Sequence, residues 1–364
     1  MNDSKLLKLH TKLYQDQNLT ESLEDKNNYP FPHNNYTTKK VSPKMKRIAL
    51  VTSGGDAPGM NAAIRAVTRL AHTKNIDVIG FERGWDGLIT NTYRALTPRS
   101  VGGIIQQGGT ILYTSRSQQF KKAEGQKQAA KILDKNKIDG LIVVGGNGSF
   151  SGAYEFSKHT DVLIVGVPAT IDNDVYGTDE TIGFDTAVNT ALAEIDKIRD
   201  TAISHERIFI AEVMGRTRGF LATTIGLTAG AELILVPEVK TDEKKIIKRL
   251  AENTKKGKKS GIIVAAEGIG DTRKLAADIE KQTGSEVRLS ILGYAQRGGS
   301  PTARSRLLAN LFADKAVNLL TEERGNVVVG LQNGKVASTS LEKSCKTEKK
   351  LDLEMLKLAN ALST

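Results

Sequence analysis

Short apolar runs, rich in β-branched residues, alternate along this chain with stretches in which apolar residues recur every three or four positions. Continuous apolar runs of strand length are typical of parallel strands that are covered on both faces. Helical periodicity is clear in Ala63, Ala66, Val67, Leu70 and Ala71. The predicted strands cover residues 47–52, 77–81, 140–144, 162–167, 207–213, 232–236, 261–266, 288–292 and 327–331. This alternation predicts an α/β fold whose ligands lie beyond the carboxyl ends of the strands.

The first 44 residues differ in composition from the rest of the chain. They contain none of the 34 glycines but three of the eight prolines, with asparagine pairs at residues 27–28 and 34–35. Acidic residues in this segment argue against a transit peptide, and it lacks the apolar centre of a signal peptide. We therefore predict a polar, flexible N-terminal extension over residues 1–44, with the folded body beginning at Met45.

Composition narrows the choice of function. A length of 364 residues fits two domains, and no apolar run approaches the ~18 residues that a membrane helix needs. A single cysteine, Cys345, excludes a disulfide framework and a cysteine-based zinc site, which predicts a reducing, cytoplasmic location. A net charge of +11 favours anionic ligands, whereas an aromatic content of 5% argues against stacking on nucleic acid. The expected partner is a phosphorylated small molecule, with no nucleic acid and no membrane.

Three polar segments each follow a predicted strand. Residues 52–61 (TSGGDAPGMN) and 144–149 (VGGNGS) lead into predicted helices. Glycines let a backbone approach a polyphosphate and a helix N-terminus attracts anions, although either segment could equally be a tight turn. In the third segment, Asp172 and Asp174 beside Thr170 could deprotonate an alcohol, hold Mg²⁺, or form only an Asx-rich turn.

Four arginines lie near the ends of predicted strands: Arg207, Arg216, Arg288 and Arg297. Such residues can clamp a substrate phosphate and neutralise charge during phosphoryl transfer. Each of them, taken singly, could instead form a surface ion pair. Only the combination of four arginines with three polar loops indicates phosphate chemistry.

In combination these segments closely resemble the bacterial-type 6-phosphofructokinases (phosphofructokinase A family). The motifs are TSGGDAPGMNAAIR (52–65), TIDND (170–174), TIGFDTA (181–187), EVMGR (212–216) and QRGGSP (296–301). The resemblance implies two Rossmann-like domains with mainly parallel sheets flanked by helices, assembled as a homotetramer. It implies Mg²⁺-dependent transfer of the ATP γ-phosphoryl group to the 1-hydroxyl of fructose 6-phosphate. The ATP-binding domain would span residues 45–183 and 296–346, and the sugar-phosphate domain residues 184–295 and 347–364.

The resemblance also implies roles for individual residues. Asp172 matches the base that takes the proton from the sugar hydroxyl. The transferring phosphoryl group would be stabilised by Thr170, Gly55 and Arg216. The ATP site is implied at Gly55, Arg116, Ser117, Gly146, Asn147, Gly148 and Ser149. The sugar-phosphate site is implied at Thr170, Ile171, Asp172, Arg207, Met214, Gly215, Arg216, Glu267, Arg288, Tyr294, Ala295, Gln296 and Arg297.

Two features of the resemblance concern subunit contacts. Of the three phosphate-binding arginines, Arg207, Arg288 and Arg297, two would come from a neighbouring subunit, which makes oligomerisation a condition of activity. A pocket between subunits for an ADP- or phosphoenolpyruvate-type effector is implied at Arg65, Arg69, Arg199, Glu232, Lys258 and Lys259. Pro98 stands where the family has an arginine in that pocket, with Arg99 next to it.

Three residues depart from the family pattern at or near the sites. Asn147 replaces an aspartate that serves the catalytic Mg²⁺, and an amide offers a carbonyl oxygen without charge; Asp174 is a second candidate ligand. Tyr294 replaces a histidine, and its phenol still donates a hydrogen bond. Ser305 replaces an aspartate that follows the QRGGSP motif. These changes are compatible with a working kinase or with a weakly active, regulatory paralogue on the same fold.

The phosphoryl donor is suggested by two small residues. In relatives that use pyrophosphate, a second aspartate and a lysine fill the positions that Gly148 and Ala169 occupy here. Both larger residues take up room that a nucleotide needs. The sequence therefore favours ATP, with a pyrophosphate-dependent phosphofructokinase as the alternative.

Overall fold

Two mainly parallel β-sheets with helices packed on them form this computed structural model, which describes residues 45–240 and 242–363. The predicted polar extension over residues 1–44 lies outside the described residues. The α/β class predicted from the alternating apolar patterns is confirmed.

The described helices and strands alternate along most of the chain. The strands are β1 (Arg47–Ser53), β2 (Asp77–Phe81), β3 (Tyr93–Leu96), β4 (Gly140–Gly145), β5 (Leu163–Thr170), β6 (Ile182–Gly183), β7 (Ile208–Val213), β8 (Leu233–Leu235), β9 (Gly261–Ala266), β10 (Val287–Ile291), β11 (Val327–Gln332) and β12 (Lys335–Ser340). The helices are α1 (Met60–Thr73), α2 (Trp85–Thr90), α3 (Ala123–Lys135), α4 (Asn147–Phe156), α5 (Phe184–Ser204), α6 (Phe220–Thr228), α7 (Glu243–Lys255), α8 (Thr272–Thr283), α9 (Ala303–Thr321), α10 (Leu341–Lys346) and α11 (Glu354–Leu362). Short 3₁₀ helices cover Glu267–Ile269 and Gly293–Arg297.

The larger sheet has the strand order β12-β11-β5-β4-β1-β2-β3, and β6 also pairs with β5. Its central pairs are parallel, whereas β3 and β12 pair antiparallel to β2 and β11 at the two edges. Every residue of β4 is buried, as expected for a central strand with both faces covered.

The smaller sheet has the order β10-β7-β9-β8, and all of its pairs are parallel. Parallel strands end at the same edge of a sheet, so the loops after β7 and β9 emerge side by side. Every residue of β9 is buried. One apolar core joins the two sheets, because it includes Ile142 and Val165 from the larger sheet and Ala211 and Val264 from the smaller.

Near its C-terminal end the chain crosses between the sheets. Helix α10 packs on α4 and β11 of the larger sheet, whereas α11 packs on α6 and β8 of the smaller one. Residues 347–353 connect these two helices, and Leu351 packs against the shared core. This connecting segment is called the crossover segment below.

The nine predicted strands are all present: those at residues 77–81 and 261–266 have the predicted bounds, and the bounds of the others differ by one to three residues. Three observed strands were not predicted: β3, β6 and β12. Strand β3 is mostly exposed and β12 is only half-buried, so neither carries a continuous apolar run. In the part of the chain that the structure describes, no helix combines the length and apolar character needed to span a membrane.

Candidate active site

A cleft of about 880 Å³ lies at the carboxyl ends of strands from both sheets. The loops after β1, β4, β5 and β7 line it, together with both 3₁₀ helices. The predicted site residues that line it are Gly55, Arg116, Ser117, Gly146, Asn147, Gly148, Ser149, Thr170, Ile171, Asp172, Asp174, Met214, Arg216, Glu267, Tyr294 and Arg297. One cleft therefore brings together most of the predicted ATP and sugar-phosphate residues.

The glycine loops after β1 and β4 pack tightly against each other at one wall of the cleft. Ser149 Oγ donates a hydrogen bond to the carbonyl of Ser53 over 2.8 Å, which ties the two loops together. A side chain at Gly145 would collide with Ser149, and one at Gly55 would collide with the guanidinium of Arg297. Helix α4 begins at Asn147, so its N-terminal N–H groups and partial positive charge face the cleft. This wall has the composition of a phosphate-binding site.

Asp172 is the central carboxylate of the cleft and is only 8% exposed. Its backbone N–H donates to Thr170 Oγ1 over 3.2 Å. Burial and the nearby charge of Asp174 raise the pKa of Asp172 from 3.8 to about 6, even though Arg216 opposes the shift. A carboxylate with this pKa is ionised near neutral pH and is more basic than an exposed one, which suits a general base.

Arg216 faces Asp172 from the other sheet. Its Nε lies 3.5 Å from Asp172 Oδ2, and its side chain is 59% exposed to the cleft. Its backbone N–H donates to Glu267 Oε1 over 2.6 Å. Arg216 has a left-handed backbone (φ 54°), and Gly215 has φ 132°, which only glycine adopts readily. The turn after β7 is therefore shaped by Gly215 to direct Arg216 toward Asp172.

Arg297 and Tyr294 come from the 3₁₀ helix after β10. The guanidinium of Arg297 pairs with Asp56 Oδ1 at 2.8 Å and lies 5.6 Å from the centre of the Tyr294 ring. Tyr294 is 76% exposed. Gln296 is fully buried and accepts a hydrogen bond from the backbone N–H of Met214 over 2.8 Å. Gln296 therefore holds the turn at Met214 in place from beneath the surface of the cleft. Three predicted residues, Gly215, Ala295 and Gln296, do not line the cleft themselves, although their chain neighbours do.

Asn173 was not predicted as a site residue, yet it lies between the two cleft carboxylates. It has a left-handed backbone (φ 52°), a conformation that asparagine tolerates well. Its side-chain amide donates to the carbonyl of Asp179 over 3.2 Å, and its Oδ1 accepts from the N–H of Thr181 over 3.1 Å. These bonds fix the direction in which Asp172 and Asp174 leave the backbone.

The far end of the cleft is aromatic, and the sequence patterns did not indicate it. Trp85 and Phe120 line this end and stack with ring centres 4.1 Å apart and an interplanar angle of 8°. Both rings are almost completely buried. In the sequence they are indistinguishable from ordinary core residues, and only packing shows that they border the cavity.

The carboxylates of Asp172 and Asp174 are compatible with Mg²⁺. Within residues 45–240 and 242–363, no group of three or more histidine, cysteine or acidic side chains is arranged to hold a metal. Mg²⁺ is commonly bound by one or two carboxylates with phosphates and waters, so the two aspartates fit this metal. The side-chain N–H of Asn147 donates to the carbonyl of Asp174 over 3.1 Å, which leaves the side-chain oxygen of Asn147 as the atom that can bind a metal.

Arg207 and Arg288 lie outside the cleft of this chain. Both hydrogen-bond Glu286, at the amino end of the smaller sheet. The hydrogen bond from Arg207 keeps the pKa of Glu286 below its usual value. The cleft is at the opposite, carboxyl end of the same sheet, so neither arginine reaches it within one chain.

The predicted effector residues occupy two separate places. Glu232 is buried, accepts from the N–H of Ile262 and pairs with Lys258 at 3.1 Å. Arg199 donates to the carbonyl of Ala229, and Lys259 pairs with Glu206 at 2.8 Å. The other two residues lie elsewhere. Arg65 and Arg69 are on α1 beside the larger sheet, and Arg69 approaches the carbonyl of Pro98.

Ser305 belongs to a helix contact rather than to the cleft. It is fully buried in the first turn of α9 and shares a 2.8 Å hydrogen bond with the hydroxyl of Thr186 on α5. Thr302 caps the same helix by accepting from the N–H of Ser305. A serine at this position therefore has a structural role between two helices.

Comparison with known proteins agrees with this geometry. A protein-family model described as Phosphofructokinase matches residues 47–320. The chain is 50% identical over 319 residues to the ATP-dependent 6-phosphofructokinase of Halalkalibacterium halodurans and to that of Clostridium tetani, covering 88% of this chain and 100% of each relative. The solved structure of phosphofructokinase from Saccharomyces cerevisiae matches with a TM-score of 0.77 at 35% identity, over 83% of this chain. The chain spans 45% of that yeast chain.

Proposed function

The chain belongs to the phosphofructokinase family, and we propose that it transfers the γ-phosphoryl group of ATP to the 1-hydroxyl of fructose 6-phosphate. The product is fructose 1,6-bisphosphate, formed in glycolysis. The observation that carries this proposal is Asp172, a buried carboxylate of raised pKa that faces two arginines in a cleft with a phosphate-binding wall.

Asp172 acts as the general base of the reaction. It takes the proton from the 1-hydroxyl as the oxygen attacks the γ-phosphorus, and the bond between that phosphorus and the bridging oxygen of ADP breaks. A positioned base contributes roughly 10²- to 10⁴-fold to the rate. Arg216, the hydroxyl of Thr170 and the backbone at Gly55 stabilise the charge on the transferring group.

ATP lies along the glycine loops, with its phosphates near the N-terminus of α4. Gly55, Gly146, Gly148 and Ser149 approach the phosphates, and Arg116 with Ser117 contact the nucleotide further along the cleft. The sugar phosphate lies toward Met214, Arg216 and Glu267, near Tyr294 and Arg297. The hydroxyl to be phosphorylated is thereby held between Asp172 and the nucleotide.

Mg²⁺ is the metal that these residues suit. Asp174 supplies a carboxylate and Asn147 an amide oxygen, so that the site carries one negative charge less than it would with an aspartate at residue 147. When bound, Mg²⁺ neutralises charge on the phosphates during transfer. Its affinity is expected to be lower than with aspartate at residue 147.

The donor is ATP rather than pyrophosphate. A side chain at Gly148 would meet no atom within 4 Å, so the glycine leaves open space in the cleft, whereas Ala169 is fully buried in the apolar core and is not a lining residue of the cleft. An aspartate at residue 148 would take up this space. The similarity to ATP-dependent relatives supports the same conclusion. The alternative is a pyrophosphate-dependent phosphofructokinase.

A weakly active or regulatory paralogue is the second candidate, and Asn147 is the observation that favours it. Ser305 no longer supports this candidate, because its hydroxyl has a structural partner in Thr186. The paralogue hypothesis predicts that ATP and fructose 6-phosphate raise the melting temperature without turnover.

Oligomerisation, regulation and location complete the proposal. A cytoplasmic homotetramer would bring Arg207 and Arg288 of one subunit to the sugar phosphate of the next. The same assembly would join the two separate groups of effector residues around an ADP- or phosphoenolpyruvate-type ligand. The domain division at residues 45–183 with 296–346 and 184–295 with 347–364 follows the two sheets and is part of this proposal.

A coupled assay of fructose 1,6-bisphosphate formation tests the proposed function. Purified protein is given fructose 6-phosphate and Mg²⁺ with either ATP or pyrophosphate. Product from ATP at a higher rate than from pyrophosphate is expected. A higher rate with pyrophosphate would identify pyrophosphate as the phosphoryl donor. Ligand-induced thermal shifts with no product from either donor would favour the regulatory paralogue.

A further inference from the structure

The crossover segment, residues 347–353, contacts the active-site loops of both sheets. Its residue Glu348 hydrogen-bonds Arg218, which lies in the same turn as Arg216. Its next residue, Lys349, donates from Nζ to the carbonyl of Asp179 over 3.0 Å, in the loop that follows Asp172. Two adjacent residues thus reach the loop of the proposed base and the turn of the arginine that faces it.

Lys349 occupies an unusual place for a lysine. Its Nζ lies 5.0 Å from the centre of the Phe220 ring, at the start of α6, and its side chain is partly buried. Burial lowers the pKa of Lys349 to about 8, although the acidic groups Asp179, Asp174 and Glu180 oppose the shift. Removing an ammonium group from water is unfavourable unless specific partners compensate, so this position calls for an explanation.

The carbonyl that Lys349 contacts is the same one that holds Asn173. Asp179 O accepts from Lys349 Nζ over 3.0 Å and from Asn173 Nδ2 over 3.2 Å. Asn173 has the left-handed backbone that directs Asp172 and Asp174 into the cleft. A chain of two hydrogen bonds therefore connects the crossover segment to the residue between the two carboxylates.

A parallel connection reaches the arginine. The backbone N–H of Arg218 donates to the carbonyl of Gly215 over 3.0 Å, which closes the turn that contains Arg216. The hydrogen bond with Glu348 raises the pKa of the Arg218 guanidinium and fixes its side chain against the crossover segment. The separation of Asp172 and Arg216 depends on both loops, and residues 348 and 349 contact both.

We propose that Lys349 is a positioning residue for phosphoryl transfer, acting through the carbonyl of Asp179 and the side chain of Asn173 to hold Asp172 in line with the substrate hydroxyl. Glu348 fixes the opposing turn through Arg218. This inference rests on the proposed function, because it assigns Lys349 an effect on the base of that reaction. Misplacing a catalytic group by about 1 Å can cost about 10²-fold in rate.

The test compares Lys349→Met with Lys350→Met. Both variants remove one lysine charge from the crossover segment, but Lys350 is exposed and serves as the matched control. We expect Lys349→Met to lower kcat by about 10- to 100-fold, with the KM for ATP changed less than about threefold. Lys350→Met should keep the kcat of the unmodified protein. Equal kcat values for Lys349→Met and Lys350→Met, in an active unmodified enzyme, would overturn this inference alone.

Two further readouts separate positioning from a general loss of stability. Hydrogen exchange of the peptide spanning residues 171–181 should be faster in Lys349→Met than in Lys350→Met. Lys349→Arg, which keeps the charge and the hydrogen-bond donor, should have most of the kcat of the unmodified protein. In an Asp172→Asn background, Lys349→Met should lower kcat by less than about threefold, because effects on one catalytic group are not additive. The same fold-loss in both backgrounds would show that Lys349 acts independently of Asp172 and would overturn the proposal.

A second variant covers the case in which Lys349→Met does not fold. Lys349→Gln keeps a polar end in the same surroundings, but its amide nitrogen is one bond closer to the backbone than lysine Nζ, so the 3.0 Å contact with the carbonyl of Asp179 should be lost and kcat should fall by about 10-fold. A kcat equal to that of the unmodified protein would overturn the proposal. Absence of product from the unmodified protein would instead overturn the proposed function, and with it the role of Lys349.

Discussion

Strand β7 has an arginine close to each of its ends, and the two arginines have opposite surroundings. Arg207 precedes the strand and shares Glu286 with Arg288, so its charge is neutralised within the chain. Arg216 follows the strand and is 59% exposed in the cleft, with Asp172 at 3.5 Å. The amino end of the smaller sheet thus holds compact ion pairs, whereas its carboxyl end holds charges that are available to a ligand.

The carboxylates at the two ends differ in the same way. A hydrogen bond from Arg207 lowers the pKa of Glu286, whereas burial raises that of Asp172 to about 6. The same residue types therefore give an ion pair at one end and the proposed base at the other. Exposure, burial and pairing within the chain, rather than the number of charges, therefore distinguish the edge that lines this chain's own cleft from the opposite edge.

The largest expected effect is on turnover when the carboxyl end loses its base. Asp172→Asn keeps the size and polarity of the side chain but cannot accept the hydroxyl proton. We expect kcat to fall by roughly 10²- to 10⁴-fold, with little change in the binding of fructose 6-phosphate. Steady-state kinetics and a thermal shift with the sugar phosphate measure the two quantities. A fall of less than about fivefold would remove Asp172 as the base.

The same substitution should make the protein more stable. Because the pKa of Asp172 is higher in the folded state, its ionisation favours unfolding as the pH rises from about 4 to about 6. At pH 7.5 the cost is on the order of 3 kcal/mol, which Asp172→Asn should recover. Chemical denaturation should show this gain at pH 7.5 and none below pH ~4, where the carboxyl is protonated in both states. A loss of stability at pH 7.5 would contradict the proposed environment.

A smaller effect is expected at the amino end, and it tests whether Arg207 serves a neighbouring subunit. Arg207→Met leaves Glu286 with Arg288 as a partner, so the fold should persist. Losing a charge-assisted bond of ~1.5–3 kcal/mol should raise the KM for fructose 6-phosphate by about 10- to 150-fold. Arg94→Met is the control, since Arg94 also pairs with a glutamate, Glu82, but is not one of the arginines proposed to reach the sugar phosphate of a neighbouring subunit. Equal KM values in the two variants would leave Arg207 with a structural role only.

The smallest effect is expected from Asn147→Asp. A negative charge at residue 147 should strengthen Mg²⁺ binding, but a carboxylate cannot donate the 3.1 Å hydrogen bond that Asn147 gives to the carbonyl of Asp174. Because these changes oppose each other, we expect a rise in rate of at most about 10-fold, confined to limiting Mg²⁺. Titration of the rate with Mg²⁺ measures it. An unchanged Mg²⁺ requirement would mean that Asp174 carries the metal without help from residue 147.

The sequence predicted the features that depend on local pattern. Wholly buried strands such as β4 and β9 appear as unbroken apolar runs, and the motifs around Asp172 and Arg216 follow strands at their carboxyl ends. Edge strands β3 and β12 were missed because their exposed faces interrupt the apolar pattern.

Features that depend on distant contacts could not be predicted. Lys349 and Asp179 are 170 residues apart in sequence, and nothing local connects the crossover segment to the active site. The burial of Ser305 against Thr186 and the stack of Trp85 on Phe120 likewise arise only when segments from different parts of the chain pack together.

In the proposed reaction, the carboxyl-end cleft transfers phosphoryl groups from ATP with Asp172 as its base. The most direct test follows fructose 1,6-bisphosphate formation by the unmodified protein, with ATP and saturating Mg²⁺, across pH 5 to 9. We expect product to form, and kcat/KM to fall as the pH drops below about 6 and Asp172 becomes protonated. Absence of product at every pH would rule out the proposed reaction, and a rate that stays constant from pH 5 to 7 would rule out Asp172 as its base.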